Sequence, residues 1–455
     1  GQACGKGVDQ TVAIVGRVKA QLAAEGGHAE AIAIAADTFD HTVDQLFGLG
    51  VRHLAKAERV HRRDRPGAHG KDIAQDAADA GGRALVGLDI RRVVVALHLE
   101  DHALAVTDID DEQIADELAT DIRDLVRYEP GVSVRRAPAR FGAALGTTGR
   151  ARNEGFVIRG IGGNRVLIQV DGIRSPQGFT FGAQDAGRGG YTDVSLVKSV
   201  EILRGPASAL YGSDGLAGAI SFTTSDPTDL IDAGQAFGGF VRASYASEDN
   251  EFAETAALAG QFGNISAMLA YTRRDFEELE NQGDVDGTGS ERTLPNPQDG
   301  KSNAFLGKLV WQAGGHRIRL TGEYLDSRIY SDVQSGLGPS FLFGPPPTPP
   351  AWIVDRLVAD DESERKRLSL DWTWEGEGAI EYAHLAVYGQ DGADIQYTEE
   401  DRTGVLTTAP DRTRLNTFEN RVWGVGGEIR SRFATGPIDY RVIFGGDISW
   451  TNQKG

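Results

Sequence analysis

The segment from Ser199 to Phe222, SVEILRGPASALYGSDGLAGAISF, constrains the fold more than any other part of the chain. Val200, Ile202 and Leu203 form a β-prone run that Gly205-Pro206 stops, and Pro206 suits the start of a single helical turn over Ala207 to Leu210. Gly212, Gly215 and Gly218 then recur at every third position, a spacing that lets backbone pass close to a neighbouring surface and take positive φ. Ala219-Ile220-Ser221-Phe222 resumes as a strand. A strand, a turn-rich excursion and a returning strand in so short a span describe a compact β-α-β unit. No Lys-Ser or Lys-Thr pair follows the glycines, which argues against a phosphate-binding loop.

A second block, FVIRGIGGNRVLIQVDGIR from Phe156 to Arg174, clusters Gly160, Gly162 and Gly163 behind a strand. A dinucleotide fingerprint would require a helix next, yet Val166 to Val170 reads as another strand. Asp171-Gly172 is a strong hairpin-turn signal and makes Arg174 part of the returning arm. In a third block, Asp111 to Val134, Ile114, Leu118, Ile122, Leu125 and Val126 fall at helical spacing, and Glu129-Pro130-Gly131 ends the run before a short strand. The expectation there is helix.

Together these blocks resemble the plug domain of TonB-dependent outer-membrane receptors. The resemblance rests on Val200 to Pro206, on Tyr211-Gly212, on Gly215 to Gly218, and on the Phe156 to Arg174 hairpin. Three details are similar to the haem, haemoglobin, transferrin and lactoferrin receptor branch: Leu125 to Gly131, Asn164 to Arg174, and Ala207 to Gly215.

Composition allows this without demanding it. With 455 residues, 40% hydrophobic and 25% charged, the chain is long enough for two or three domains. A net charge of −19 argues against nucleic acid as a partner. Cys4 is the single cysteine, which excludes an internal disulfide framework or a cysteine-rich metal site. No run approaches the roughly 20 apolar residues of a spanning helix, so membrane residence requires a barrel, whose alternating faces escape hydropathy analysis.

That alternation dominates after Asp226-Pro227. Leu368, Leu370, Trp372 and Trp374 share one face, and Ser369, Asp371, Thr373 and Glu375 share the other. The sets Phe305, Gly307, Leu309, Trp311, then Ile318, Leu320, Gly322, Tyr324, and Tyr440, Val442, Phe444, Ile448, Trp450 repeat the pattern. Lys308, Arg317, Arg319, Glu323, Arg441 and Asp447 lie between them. An apolar face outward and a charged face inward is the expectation for a transmembrane barrel. Short connections at Gly263-Asn264, Ala313 to Gly315, Gly376 to Gly378 and Thr435 to Pro437 alternate with long ones at Asp275 to Lys301, Ser327 to Glu362 and Gly389 to Arg414. Counting from about Phe237 gives nine strands.

The fold expected is therefore an α+β plug followed by an antiparallel transmembrane β-barrel, truncated because this family closes its barrels with about 22 strands. The domain reading is an atypical stretch over 1–105, a plug over 106–234 and the first part of a barrel over 235–455. The first stretch holds seven of the nine histidines and none of the tryptophans or tyrosines, and it reads as non-native or disordered. Its His53, His61 and His69 lack the spacing of metal ligands, so no metal site is expected. The signal peptide and TonB box that the family places there are not recognisable.

The resemblance implies a receptor that is not an enzyme, located in the bacterial cell outer membrane. Its partners would be the TonB energy-transducing complex, outer-membrane lipid, and haem or a haem- or iron-carrying protein. Haem would be a transported ligand and no cofactor would be held covalently. A siderophore receptor and a non-transporting surface adhesin are the alternatives. By resemblance, Arg159, Glu201 and Arg204 would form the ion-pair lock between plug and barrel wall. The acidic run Asp275, Glu277, Glu278, Glu280, Asp284 and Asp286 offers charge complementarity to a basic protein surface. His316 and His384 read as ordinary strand residues.

Overall fold

The computed structural model describes residues 105–134, 155–178, 180–181, 184–185, 192–207, 215–341, 348–435 and 438–455, with two short backbone strands at Val15–Lys19 and Gly87–Arg91. The rest of the 1–105 stretch, including its histidines, and Tyr211 and Gly212 lie outside the described residues.

The plug contains β1 (Ala105–Asp110), β2 (Val132–Val134), β3 (Phe156–Ile158), β4 (Val166–Val170), β5 (Ile173–Arg174), β6 (Val197–Arg204) and β7 (Gly218–Thr224). Its main sheet has the order β1-β6-β7-β4-β5, with β2 and β3 pairing separately. β7 lies antiparallel to β6 and parallel to β4. The Ser199–Phe222 unit thus forms the middle of the sheet. Gly218 is required at the point of return: a Cβ there would sit 2.1 Å from the Leu203 carbonyl oxygen. Every residue of β4 is buried, and Val166, Ile168, Val170, Val200, Ile202, Ile220 and Phe222 belong to one apolar core with Ile109, Leu125 and Val126. Each such side chain contributes roughly 1.5–3 kcal/mol through removal from water.

The opening helices are shorter than the periodicity predicts. α1 spans only Asp111–Asp116, with Asp110 capping it through Gln113 N–H, and a second turn follows at Asp124–Val126. Leu118 interrupts the run with φ of 52° and an exposed side chain. The Asp121 carboxylate then accepts from the backbone of Arg123 and Asp124, starting a new turn. Ile114, Ile122, Leu125 and Val126 still reach the core because the break re-aims them.

Nine long strands follow the plug: β8 (Phe237–Ala246), β9 (Glu251–Phe262), β10 (Ile265–Phe276), β11 (Gln298–Ala313), β12 (His316–Asp332), β13 (Trp352–Glu375), β14 (Ile380–Gly404), β15 (Arg412–Thr435) and β16 (Ile438–Lys454). They pair antiparallel in chain order, and the Gly87–Arg91 strand pairs along the far side of β16. The faces are inverted relative to a water-soluble sheet: Leu258, Leu269, Leu309, Leu368 and Trp423 are exposed outward, while Lys308, Thr321, Arg367, Ser369 and Asp371 are buried inward. Tyr271 and Phe305 lie with ring centroids 4.4 Å apart and planes tilted, with Tyr324 beside them.

The outer connection after β14 is shorter than expected. Residues 405–411 suffice because β14 and β15 remain paired well past the band, as far as Glu400–Arg412. Ladder hydrogen bonds hold such a ribbon in water, where an apolar face is not needed, so alternation fades while the strand continues.

Candidate functional site at the plug–wall interface

The β4–β5 hairpin turns at Asp171 and Gly172, both with positive φ (52° and 78°), the combination of a type I′ turn. This turn aims the Asp171 carboxylate at the end of β7. It accepts from Thr224 N–H at 2.9 Å and from the Thr224 hydroxyl at 2.8 Å. From the barrel wall, Arg367 on β13 donates to the same carboxylate at 2.8 Å and also to the Val170 carbonyl. Lys308 on β11 donates to the Thr224 carbonyl at 3.0 Å and to Asp226 at 3.2 Å, and its ammonium lies 3.8 Å from Asp171. Arg317 on β12 completes the group by binding Asp226 at 2.6 Å.

Further contacts fix the plug. Gln390 on β14 donates to the Arg174 carbonyl at 2.7 Å. Beside β9 and β10, Arg274 donates to Asp193 at 2.8 and 2.9 Å, to Ser195 at 2.8 Å and to Glu251 at 2.7 Å. Leu196, one residue from Ser195, packs against Ala257, Ala259, Met268, Ala270, Ala304 and Leu306 of the wall.

Electrostatically the seat is paired rather than merely charged. Burial alone would raise the pKa of Asp171, but Lys308, Arg367 and Arg319 more than offset it and hold the carboxyl well below its usual range. Asp193 is likewise lowered: burial opposes, and Arg274 with the Ser195 hydrogen bonds prevails. Asp226 follows the same pattern with Lys308, Arg317 and Arg319. All three stay ionised at neutral pH, which matters because a buried ion without its partner is strongly destabilising.

The residues expected to lock plug to wall are placed differently. Arg204 pairs with Glu129 inside the plug, and the same guanidinium contacts the Thr107 hydroxyl. Glu201 is exposed on β6, and Arg159 is exposed with φ of 49°, its backbone N–H bonded to the Gly131 carbonyl. Among the described residues, Asp171, Asp193 and Asp226 of the plug pair with wall cations, and Arg174 of the plug lies 3.8 Å from Asp447 of the wall. The physical reason is local: the wall facing the Asp171 turn supplies Lys308, Arg317 and Arg367, whereas Arg204 has the Glu129 carboxylate within reach inside the plug. Gly205, Gly215 and Gly218 line the turn between β6 and β7, with Gly205 N–H bonded to the Ala217 carbonyl and Ala207 N–H to the Gly215 carbonyl. Pro206 is exposed there.

Sequence reasoning recognised Asp171 as a turn residue and Lys308, Arg317 and Arg319 as inward positions, but did not join them. The available signal is an inward cation on each of several adjacent strands. Of the two strand histidines, His316 stacks on Trp372, and the His384 imidazole lies 3.6 Å from Asp371. Among the described residues no group of three His, Cys, Asp or Glu side chains is placed to hold a metal ion.

A sheet domain held by buried ion pairs against the inner face of an inside-out β-wall defines a plugged barrel of the outer membrane. Residues 98–219 match the family described as TonB-dependent Receptor Plug Domain. Transferrin-binding protein A of Neisseria meningitidis serogroup B is 34% identical over 176 residues, covering 37% of this chain and 18% of that protein. Hemoglobin and hemoglobin-haptoglobin-binding protein C of Haemophilus influenzae is 28% identical over 295 residues, covering 61% of this chain and 26% of that protein. The chain is thus similar to about a fifth to a quarter of the length of these relatives. Among solved structures, the FrpB iron transporter from Neisseria meningitidis superposes with a TM-score of 0.56 at 22% identity, over 77% of this chain and 49% of that one. A ferric enterobactin receptor from Pseudomonas aeruginosa does so with 0.51 at 18%, over 77% and 50%, and both likenesses concern the fold alone. Residues 98–219 are therefore assigned to the plug domain of TonB-dependent receptors, and the chain is similar to receptors named for binding transferrin and haemoglobin.

Proposed function

We propose that the receptor containing this chain takes up haem or iron from a haem- or iron-carrying protein, with the plug gating the barrel and the TonB complex supplying the energy. The observation that carries this reading is the plug seated by Asp171, Asp193 and Asp226 on an inward cationic wall, where ion pairs, a few hydrogen bonds and small apolar patches hold it. Such a contact is firm at rest and separable without unfolding the wall. The similarity to transferrin- and haemoglobin-binding proteins favours a protein carrier over a siderophore.

The test is growth of an iron-starved strain whose only iron receptor contains this chain. Growth on haemoglobin or iron-loaded transferrin that requires TonB is the expected result. Growth on ferric siderophores alone would replace the carrier reading with the siderophore one. Carrier binding without TonB-dependent growth would favour an adhesin.

A further inference from the structure

One patch of the inner wall, on β14 and β15, is left with unused hydrogen-bonding capacity. Gly392 faces the lumen there, in register with Arg365 of β13 and Asn420 of β15, and its inward neighbours along β14 are Gln390 and Asp394. A Cβ at Gly392 would meet only the Glu364 and Asn420 backbone carbonyls within 4 Å, at 3.8 and 3.9 Å, so the wall has a notch at this point. Gln390 and Asn420 are each 3% exposed, yet Gln390 Oε1 and Asn420 Oδ1 have no hydrogen-bond partner. For Gln390 this is fixed by its Nε2, which donates to the Arg174 carbonyl at 2.7 Å. Gln396 Oε1, on the next inward position beyond Asp394, is buried and unpartnered as well. A buried acceptor without a donor is destabilising, so three on one face point to a ligand that supplies donors.

The surroundings select the ligand's charge and size. Asp394 places a carboxylate beside the notch, with Ser363 of β13 as its hydrogen-bond partner. Arg365, the cation in register with Gly392, is paired with Glu323 of β12 at 3.1 Å and so is already neutralised. The free capacity thus consists of oxygens with negative charge nearby, which suits a cation carrying O–H or N–H groups. Direct metal coordination would require oxygens within roughly 2.0–2.6 Å of one ion. Inward neighbours on these strands stand roughly 7 Å apart along a strand and roughly 5 Å apart across strands, and Gln390 cannot swing inward while it holds Arg174. Among the described residues no three His, Cys, Asp or Glu side chains converge either. A cation that keeps its own water bridges those gaps, because its aqua ligands reach each oxygen as donors. Gln396, Asn416 and Phe418 are only half-buried, so the notch opens toward the outer ends of the strands.

We propose that the Gly392 notch is an outer-sphere binding site for a hydrated metal cation: Gln390, Asn420 and Gln396 accept from its aqua ligands, and Asp394 supplies the countercharge. The site is separate from the Asp171 seat, where the wall presents cations to the plug. It does not depend on what the receptor transports. Gln390 is shared between the notch and the Arg174 carbonyl, so an occupied notch braces β5 against β14.

The test uses the full receptor in detergent, with Mn²⁺ as the probe. The parent should bind Mn²⁺ with the paramagnetic resonance spectrum of the hexaaqua ion, and hexaamminecobalt(III), whose ligands do not exchange, should displace it. Gly392→Leu fills the notch, and Asn420→Leu combined with Gln396→Leu removes two acceptors; each change should weaken this binding by about tenfold or more. Mn²⁺ should also slow proteolysis of the plug in the parent and not in these variants. Mn²⁺ affinity and proteolysis that are the same in the parent and both variants would overturn the proposal. So would a bound ion that hexaamminecobalt(III) fails to displace, because such an ion is held by direct coordination.

Discussion

The plug and the wall bury opposite kinds of side chain. The plug closes Val166, Ile168, Val170, Val200, Ile202 and Ile220 into a dry core. The wall turns Leu258, Leu269, Leu309 and Leu368 outward and folds Lys308, Arg367 and Asp371 inward. Strand geometry is common to both, so the difference comes from the solvent on each side. A plug sheet immersed in a polar lumen must hide its apolar residues between its own layers. A wall facing lipid gains nothing by hiding them, and its polar groups must be satisfied against the plug. The ion pairs at Asp171, Asp193 and Asp226 are where these two rules meet.

The comparison is tested most severely by breaking the seat. Arg367→Ala leaves Asp171 buried with one fewer partner and should cost about 3–5 kcal/mol of plug docking, whereas Ala at both positions should recover part of that. Protease protection of the plug in the assembled receptor measures it, and equal losses from the single and double variants would show that the charge pairing is irrelevant. Inside the plug, Ile202→Ala should destabilise by about 2–5 kcal/mol through the cavity it leaves, lowering the denaturant midpoint of the plug while the wall remains folded. The mirror-image change on the wall, Leu309→Arg, should cost about 2–4 kcal/mol in lipid and far less in a detergent that wets the site. A similar cost in both would mean that this face is not lipid-exposed.

Acidity sharpens the same contrast. The three plug carboxylates have folded pKa values depressed below the ordinary value of about 3.9, so their contribution is fully present above that pH and is lost as pH falls through the lower folded values. Plug protection should be flat from pH 8 to pH 5 and fall only below about pH 4, while the plug's apolar core shows no such dependence. Arg123→Ala should have the smallest effect, about 0.2–1 kcal/mol, because its pair with Glu248 is half exposed. A loss comparable to that of Arg367→Ala would contradict the difference between buried and half-exposed pairs.

Much of this architecture was legible as local pattern. The Gly-Pro stop at Gly205-Pro206, the Asp171-Gly172 turn and the alternation of Leu368 to Trp374 each depend on a few neighbouring residues, and each marks a strand or turn of the structure. The opening helices were less so. Leu118 has helical spacing, but it takes φ of 52° and faces water, since Asp121 captures the following backbone N–H groups and starts another turn. The reach of β14 and β15 was also hidden, because paired strands in water need no apolar face.

The sequence by itself determined that a plug sheet precedes an inside-out β-wall, and that the wall's inward positions carry Lys308, Arg317 and Arg319. Tertiary structure alone decided which charges meet. Asp171 and Arg367 are 196 residues apart in the chain, and Asp193 and Arg274 are 81 apart. No periodicity specifies a partner at such distances. The pairing follows from the depth at which the plug sits and the register of each wall strand, and both are settled only when the apolar groups of plug and wall have found their separate solvents.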